Sequence, residues 1–171
     1  MLGFAGGAAG TLAMRAYWRA VTALKGRDPR KETTRGEHAL DEIAVVGRQH
    51  QPGESSTAAA GRIGYETLTD TEPQAKETKT ILSYLVHWAY GSLQGGVYGA
   101  VRGRAPLPDV PGGIAFGTAL WILGDEVAVP LLGLSEGPTA FPLNQHIHRF
   151  GAHMAYGLSA TTVTQLLYRL F

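Results

Sequence analysis

The chain of 171 residues contains no cysteine. That absence excludes disulfides, zinc-thiolate sites and cysteine nucleophiles, and it leaves the redox compartment open. The usual enzyme signatures are also missing, because the sequence shows no serine-histidine-aspartate order, no phosphate-binding loop and no zincin motif. The available chemistry is therefore that of histidines and carboxylates, and we assign no catalytic residues.

Charge is scarce outside one part of the chain. The net charge of +1 and the mean hydropathy of −0.04 are those of an ordinary soluble protein. Most charges lie between Lys25 and Lys79, however, and residues 80–101 contain no Asp, Glu, Lys or Arg. About 20 apolar residues in a helix cross a hydrocarbon core of about 30 Å. The uneven distribution therefore indicates membrane-spanning segments that the averages hide.

The apolar stretches predict an all-α fold, an integral membrane four-helix bundle formed as a single domain over residues 1–171. The first stretch is treated as a retained span because it lacks the basic region and cleavage site of a secretory signal. The alternative is a soluble, glycine-rich helical domain. The four candidate spans are residues 1–24, 80–101, 110–133 and 150–169, and residues 25–79 form a long soluble loop between helices 1 and 2.

The long loop is rich in charged residues and in Gly, Pro, Ser and Thr, so we expect it to lie in water. Its segments "EHALDEIAVV" (37–46) and "STAAAGRIGYETL" (56–68) could form short amphipathic helices or remain solvated loop. Basic residues cluster near the loop ends. The positive-inside rule therefore favours the loop in the cytoplasm and both termini outside.

Polar side chains of every span fall in one half of the predicted bundle. Spans 2 and 4 run in the same direction, so His87 and His153 lie at similar depth, and Asp125 and Glu126 of span 3 reach the same level. Because charges in hydrocarbon cost a few kcal/mol each, they normally face the interior and pair. We expect Arg15 to pair with Asp125 or Glu126 and the histidines to complete the network, unless the shallow residues snorkel into the headgroups.

This polar intramembrane cluster has three interpretations. It could be a structural network, it could relay protons or respond to acid, or it could hold a ligand. Under the third interpretation the parallel His87 and His153 would ligate haem, a chlorin or a divalent metal, although their spacing is not that of a recognised site. We favour the structural network and expect no cofactor and no bound metal.

Glycines recur at helical spacing in three of the spans. Span 2 has one every four residues, span 3 has a GxxxG pair, and span 4 has one after its histidine. Such smooth stripes accept another helix at close range. They would pack within this chain, or against a second copy or a larger membrane complex. We expect membrane lipid as a partner and no nucleic acid. The candidate packing residues are Gly91, Gly95, Gly99, Gly103, Gly113, Gly117 and Gly157.

The pentapeptide His-x-Ala-Tyr-Gly occurs twice, at residues 87–91 and 153–157. In each copy the tyrosine, Tyr90 or Tyr156, is expected to pack beside the glycine groove while its hydroxyl finds a polar partner. The repeat therefore indicates a helix-packing unit with a polar handle.

Three segments, "HWAYGSLQGGVYGAVRG", "GTALWILGDEVAVPLLGL" and "HMAYGLSATT", resemble the YagU-like family of small, poorly characterised bacterial inner-membrane proteins. The resemblance covers roughly residues 80–160 and, more loosely, "GTLAMRAYWRAV" near the start. It implies a multi-pass protein of the bacterial inner (cytoplasmic) membrane without an established reaction, and a link to acid tolerance. The matching positions are His87, Gly91, Trp121, Asp125, Pro130, His153, Tyr156 and Gly157.

Taken together, these features predict a structural, accessory or stress-related membrane component rather than an enzyme. The main alternative is a proton or ion pathway through the polar half of the bundle. A subunit that binds a pigment or a metal is the third possibility.

Overall fold

The computed structural model describes residues 1–32 and 40–171, and this part of the chain is helical without strands. The all-α prediction is therefore confirmed. Two helices begin before the predicted spans, at Lys76 instead of residue 80 and at Leu143 instead of residue 150. Their first residues are largely polar, so the apolar pattern did not include them. The five main helices are α1 (Leu2–Lys25), α2 (Ser56–Thr69), α3 (Lys76–Arg102), α4 (Val110–Leu131) and α5 (Leu143–Leu170).

One helix of the described chain, α4, is both long enough and apolar enough to cross a membrane by these criteria alone. The sequence predicted four such helices. The helices at the other three predicted spans, α1, α3 and α5, are all longer than α4. The shortest of them, α1, has 24 residues and extends about 36 Å. They fall short in apolarity, because each carries charged or strongly polar side chains among its apolar residues.

The long loop contains one of the two amphipathic helices considered above. The segment 56–68 forms α2, whose first turn is capped by the Ser55 hydroxyl accepting a hydrogen bond from the Ala58 N–H. The start of "EHALDEIAVV" lies outside the described residues. The rest is not helical: the Val45 N–H donates to the Leu131 carbonyl at 2.9 Å, which fastens this segment to the end of α4.

Helix α1 lies between α3 and α5, α4 packs on α5, and α2 packs on α3. Gly3 at the start of α1 lies against Gly95 in the second half of α3. At the other end of α1, Lys25 donates to Asn144 in the first turn of α5 at 2.8 Å. Helix α1 is therefore antiparallel to both neighbours, and α3 and α5 run in the same direction.

Glycines bring α1 and α3 into backbone contact. A Cβ atom on Gly95 would overlap the backbone of Gly3, and one on Gly91 would overlap the Thr11 hydroxyl. A Cβ on Gly99 would lie 3.0 Å from the Gly3 Cα. The stripe on α3 is thus filled by α1 of the same chain.

A second row on α1 faces α5. A Cβ on Gly6 would overlap the Thr164 hydroxyl, and one on Gly10 would come within 2.8 Å of the Tyr156 ring. The two glycine rows on α1 are offset by three residues and lie on different faces of the helix. Helix α1 can therefore approach both α3 and α5 closely.

The contact between α4 and α5 has the same character. A Cβ on Gly157 would overlap the Gly113 carbonyl, and one on Gly117 would lie 2.5 Å from the His153 carbonyl. Gly103 differs from the predicted stripe. It follows the last residue of α3 with φ +59° and has open space around its Cβ position, so it ends the helix, and its contact with α5 is a hydrogen bond of 2.8 Å from Gln165 to its carbonyl.

The bundle interior is small and polar, whereas the large apolar side chains face outward. Within residues 1–32 and 40–171 no Leu, Ile, Met, Phe or Trp is fully buried. Leu85, Leu93 and Leu123 are 60%, 53% and 64% exposed. The largest fully buried side chains include Gln145, Gln165, Thr11, Thr161, Thr164 and Asp109.

A hydrogen-bonded network closes one end of the bundle, where α3 turns into α4. Asp109 caps α4 by accepting from the Gly112 N–H at 3.2 Å, and it also accepts from Tyr98 at 2.6 Å and Arg102 at 3.0 Å. Gln165 of α5 donates to the Tyr98 oxygen at 3.2 Å. The hydrogen bonds from Arg102 lower the pKa of the Asp109 carboxyl, so this carboxyl is charged at neutral pH.

Candidate functional site

The polar cluster lies at the opposite end, where the middle of α4 widens into a π-helical segment, Leu120–Ala128. A π-turn holds more residues than an α-turn, so consecutive side chains diverge by less than the usual 100° or so. Asp125 and Glu126 can therefore both face α5. Such segments occur often at functional sites.

Glu126 and His146 form the tightest contact of the cluster. The Glu126 Oε1 lies 2.8 Å from His146 Nδ1, and His146 Nε2 lies 2.9 Å from the Pro138 carbonyl oxygen. Because a carbonyl only accepts, Nε2 must carry a hydrogen. Nδ1 is then the ring nitrogen that faces the carboxylate, and a proton on either group would complete a hydrogen bond between them.

Asp125 and His153 form a second, looser pair. His153 Nδ1 lies 2.9 Å from the Arg149 carbonyl one turn back, which fixes the hydrogen on Nδ1 and turns Nε2 toward Asp125. The Nε2 to Oδ1 distance is 3.9 Å, too long for a direct hydrogen bond but short enough for an ion pair when the ring is protonated. The site thus repeats one arrangement: a carboxylate, an imidazole and a backbone carbonyl.

His87 connects this cluster to α3. Its half-buried ring interacts electrostatically with Asp125 and His153 and with the arginines Arg15 and Arg30. Positive charge comes from Arg149, which interacts with both carboxylates and stacks on the Phe141 ring at 4.1 Å.

Arg15 does not form the expected ion pair. Its guanidinium lies over the Tyr84 ring, 5.3 Å from the centroid, and the ion-pair partners of Asp125 and Glu126 are histidines of α5. The reason is the order of the helices: α5 separates α1 from α4, so Arg15 faces α3 instead.

Sequence reasoning missed His146 and Arg149. His146 and His148 are two residues apart and point to different faces of the helix, so their spacing does not indicate a common site. The overlooked signal is that His146 and His153 are seven residues apart, which places them on one face, with Arg149 between them. The two histidines face adjacent carboxylates of α4: His146 faces Glu126 and His153 faces Asp125.

The two copies of the pentapeptide interlock. The Tyr156 hydroxyl of the second copy donates a buried hydrogen bond of 2.5 Å to the Gly91 carbonyl of the first. Tyr90 is 50% exposed and its hydroxyl lies near Gly124. The repeat therefore joins α3 to α5 directly and holds His87 and His153 on the same side of the bundle.

The residues of this site can exchange protons and pair opposite charges. No three or more His, Asp or Glu residues within the two described ranges are grouped so as to hold a metal ion. Function has to be argued from this geometry. Comparison of the chain with protein-family models, with curated proteins and with solved structures found no match.

Proposed function

We propose that this chain is a multi-pass membrane protein in which α1, α3, α4 and α5 form a four-helix bundle that serves as a structural or accessory component of the bacterial inner membrane. The observation that carries the proposal is the outward placement of large apolar residues around a small, polar interior. In water, each such side chain would lack the stabilisation of about 1.5–3 kcal/mol that full burial provides. In lipid the same arrangement is favourable, because helices there associate through close small-residue contacts.

The YagU-like resemblance supports the bacterial inner membrane as the location and an accessory or stress-related role. Charge supports the orientation: the basic ends of the long segment between α1 and α3, which contains α2, favour its placement in the cytoplasm. Glycine stripes on α3 are filled from within the chain, so a second copy or a larger complex would bind elsewhere on the apolar exterior.

A pair of matched substitutions tests the proposal. Leu93 lies near the middle of α3 and is 53% exposed, and Leu68 on α2 is 86% exposed. In a membrane, Leu93→Arg places a charge in hydrocarbon at a cost of about 2.5–3.5 kcal/mol, whereas Leu68→Arg stays in water. We expect carbonate-washed membranes to retain the wild type and Leu68→Arg but little Leu93→Arg. Recovery of the wild type in the soluble fraction, or equal behaviour of both variants, would contradict the proposal.

We propose proton handling at the polar cluster as a second candidate function. The observation that favours it is that Glu126 Oε1 lies 2.8 Å from His146 Nδ1, while the Pro138 carbonyl accepts a hydrogen bond from Nε2 of the same ring. Such a pair can take up or release a proton without rearranging its neighbours. Asp125 and His153 offer a second station, and His87 lies beside it.

Proton flux into proteoliposomes, read with an enclosed pH-sensitive dye, tests this candidate. Asp125→Asn and Glu126→Gln should each reduce proton flux by about tenfold or more, because a side-chain amide does not titrate near neutral pH and so cannot relay a proton as a carboxylate does. Glu77→Gln serves as the matched control, because Glu77 is an exposed carboxylate in the first turn of α3. If the wild type shows no flux, or if the cluster variants show unchanged flux, proton handling is contradicted and only the structural role remains.

A further inference from the structure

An open cavity of about 600 Å³ lies between α1, α2 and α3, and His87 of the polar cluster forms part of its wall. Its lining combines guanidinium groups with aromatic rings. Trp18 and Arg19 come from α1, and Tyr84 and Trp88 come from α3. Tryptophan and tyrosine of this kind favour the boundary between lipid and water, where one part of the ring is apolar and the other polar.

The cavity carries an excess of positive charge. Its single carboxylate, Asp28, is bound in a fork by Arg30 at 2.7–3.2 Å, so these two charges cancel. Arg15 and Arg19 remain, four residues apart on one face of α1. Neither forms an ion pair with a carboxylate of the described chain. Arg15 lies over the Tyr84 ring, and because a contact with a ring face is not a hydrogen bond to an acceptor, the guanidinium keeps its N–H donors for a ligand.

Hydroxyl groups complete the donor set. Thr57 of α2 and Ser83 of α3 are hydrogen-bonded to each other at 2.9 Å within the lining, and each retains capacity for a further acceptor. Leu12, three residues before Arg15, is 55% exposed and lies one helical turn further from the Lys25 end of α1. An ionic and hydroxyl-lined recess thus adjoins an apolar strip of the same helix.

We propose that this cavity binds the phosphate of an anionic membrane phospholipid, with Arg15 and Arg19 holding the phosphate oxygens and the acyl chains lying along the apolar faces of α1 and α3. The two arginines match a phosphate with their forked donors, and the tryptophans match the glycerol level of a lipid. An uncompensated pair of charges on a lipid-facing helix is otherwise costly, so a bound anion also explains why α1 can carry both. The proposal rests on the membrane location proposed above.

Binding is measured on the purified full chain in mild detergent by native mass spectrometry. Phosphatidylglycerol, phosphatidylcholine and inorganic phosphate are titrated separately. We expect phosphatidylglycerol to bind at least about tenfold more tightly than phosphatidylcholine, a difference that Arg15→Gln with Arg19→Gln abolishes. Arg104→Gln with Arg169→Gln is the matched control, because it removes two exposed arginines from the opposite end of the bundle.

Three results would overturn the proposal. Equal binding of both lipids by the wild type does so without any variant, which covers the case in which the double variant fails to fold. Equal losses in both double variants would show general charge attraction. Inorganic phosphate that binds as tightly as phosphatidylglycerol, with the same dependence on Arg15 and Arg19, would assign the cavity to a free anion. A chain that resists carbonate yet shows no lipid preference contradicts this proposal alone, whereas release by carbonate contradicts the membrane location.

Discussion

Tyr90 and Tyr156 occupy the same position in the repeated pentapeptide but meet different surroundings. Tyr156 is 3% exposed and bonded to the Gly91 carbonyl, while Tyr90 is 50% exposed. The sequence predicted that both hydroxyls would find polar partners beside a glycine groove. It could not distinguish them, because α1 covers the Tyr156 side of the bundle and leaves Tyr90 toward the exterior.

This difference yields a matched pair of variants. Tyr156→Phe removes a buried hydrogen bond and should lower the free energy of unfolding by about 1 kcal/mol. Tyr90→Phe makes the same chemical change at an exposed site and should alter it by less than about 0.5 kcal/mol. Thermal unfolding in detergent measures both. Equal effects would show that the short contact between Tyr156 and Gly91 contributes nothing.

Asp109 allows two substitutions that separate its roles. Asp109→Ala removes the cap of α4 and leaves the buried Tyr98 hydroxyl without its acceptor, at a cost of about 2–3 kcal/mol together. Asp109→Asn loses the charge and replaces one of the two acceptor oxygens with an NH2 donor, but it keeps one acceptor for the cap or for Tyr98, so it should cost less than the alanine variant. Chemical denaturation in detergent gives the order; a smaller loss for the alanine variant would be inconsistent with the capping role.

The same residue predicts a pH dependence. Hydrogen bonds from Arg102 lower the pKa of Asp109 in the folded protein. A carboxyl with a lowered folded pKa contributes stability that is fully present above its ordinary pKa of about 4 and is lost as the pH falls through the folded value. The stability difference between the wild type and Asp109→Asn should therefore narrow as the pH falls below about 4. A constant difference over that range would contradict the charge-assisted network.

At the scale of the elements, helix contacts depend on glycine at particular positions. A Cβ on Gly95 of α3 would overlap the backbone of α1, whereas one on Gly64 of α2 would meet nothing within 4 Å. Both glycines are helical, so replacement by alanine brings the same gain in helix propensity, about 1 kcal/mol.

Gly95→Ala and Gly64→Ala should therefore change stability in opposite directions. Overlap between helices should make Gly95→Ala less stable by about 1–3 kcal/mol, while Gly64→Ala should be unchanged or slightly more stable. Thermal unfolding of both purified variants checks the prediction. Destabilisation of similar size in both would mean that the contact between α1 and α3 does not require glycine.

The elements also show what the sequence could and could not specify. Long apolar, glycine-rich runs were enough to locate α1, α3, α4 and α5 and to bring His87, Asp125 and His153 to one end, although the runs of α1 and α4 contain charged residues. The sequence contained no comparable signal for the π-helical segment Leu120–Ala128, since a widened turn depends on how α4 packs against α5. It also misplaced Arg15, because pairing by charge alone ignored which helices are neighbours.

At the scale of the whole molecule, the two ends of the bundle differ in chemistry. One end is closed by neutralised, capped groups around Asp109. The other gathers histidines, carboxylates and unpaired arginines, which is where a proton, an acid signal or an anionic lipid would act. The apolar exterior between them explains why a chain with a mean hydropathy of −0.04 can be a membrane protein: its polar residues lie in the interior, at the ends and in the long loop.

The central claim is that the bundle crosses the membrane, and the absence of cysteine makes it directly testable. Glu77→Cys and Arg104→Cys introduce single thiols at the two ends of α3, both at exposed positions. A membrane-impermeant maleimide applied to intact spheroplasts, and then after lysis, reports the side on which each thiol lies. The account predicts that Arg104→Cys is labelled in intact spheroplasts and Glu77→Cys only after lysis. Identical labelling of the two thiols would place both ends of α3 on one side and contradict the account.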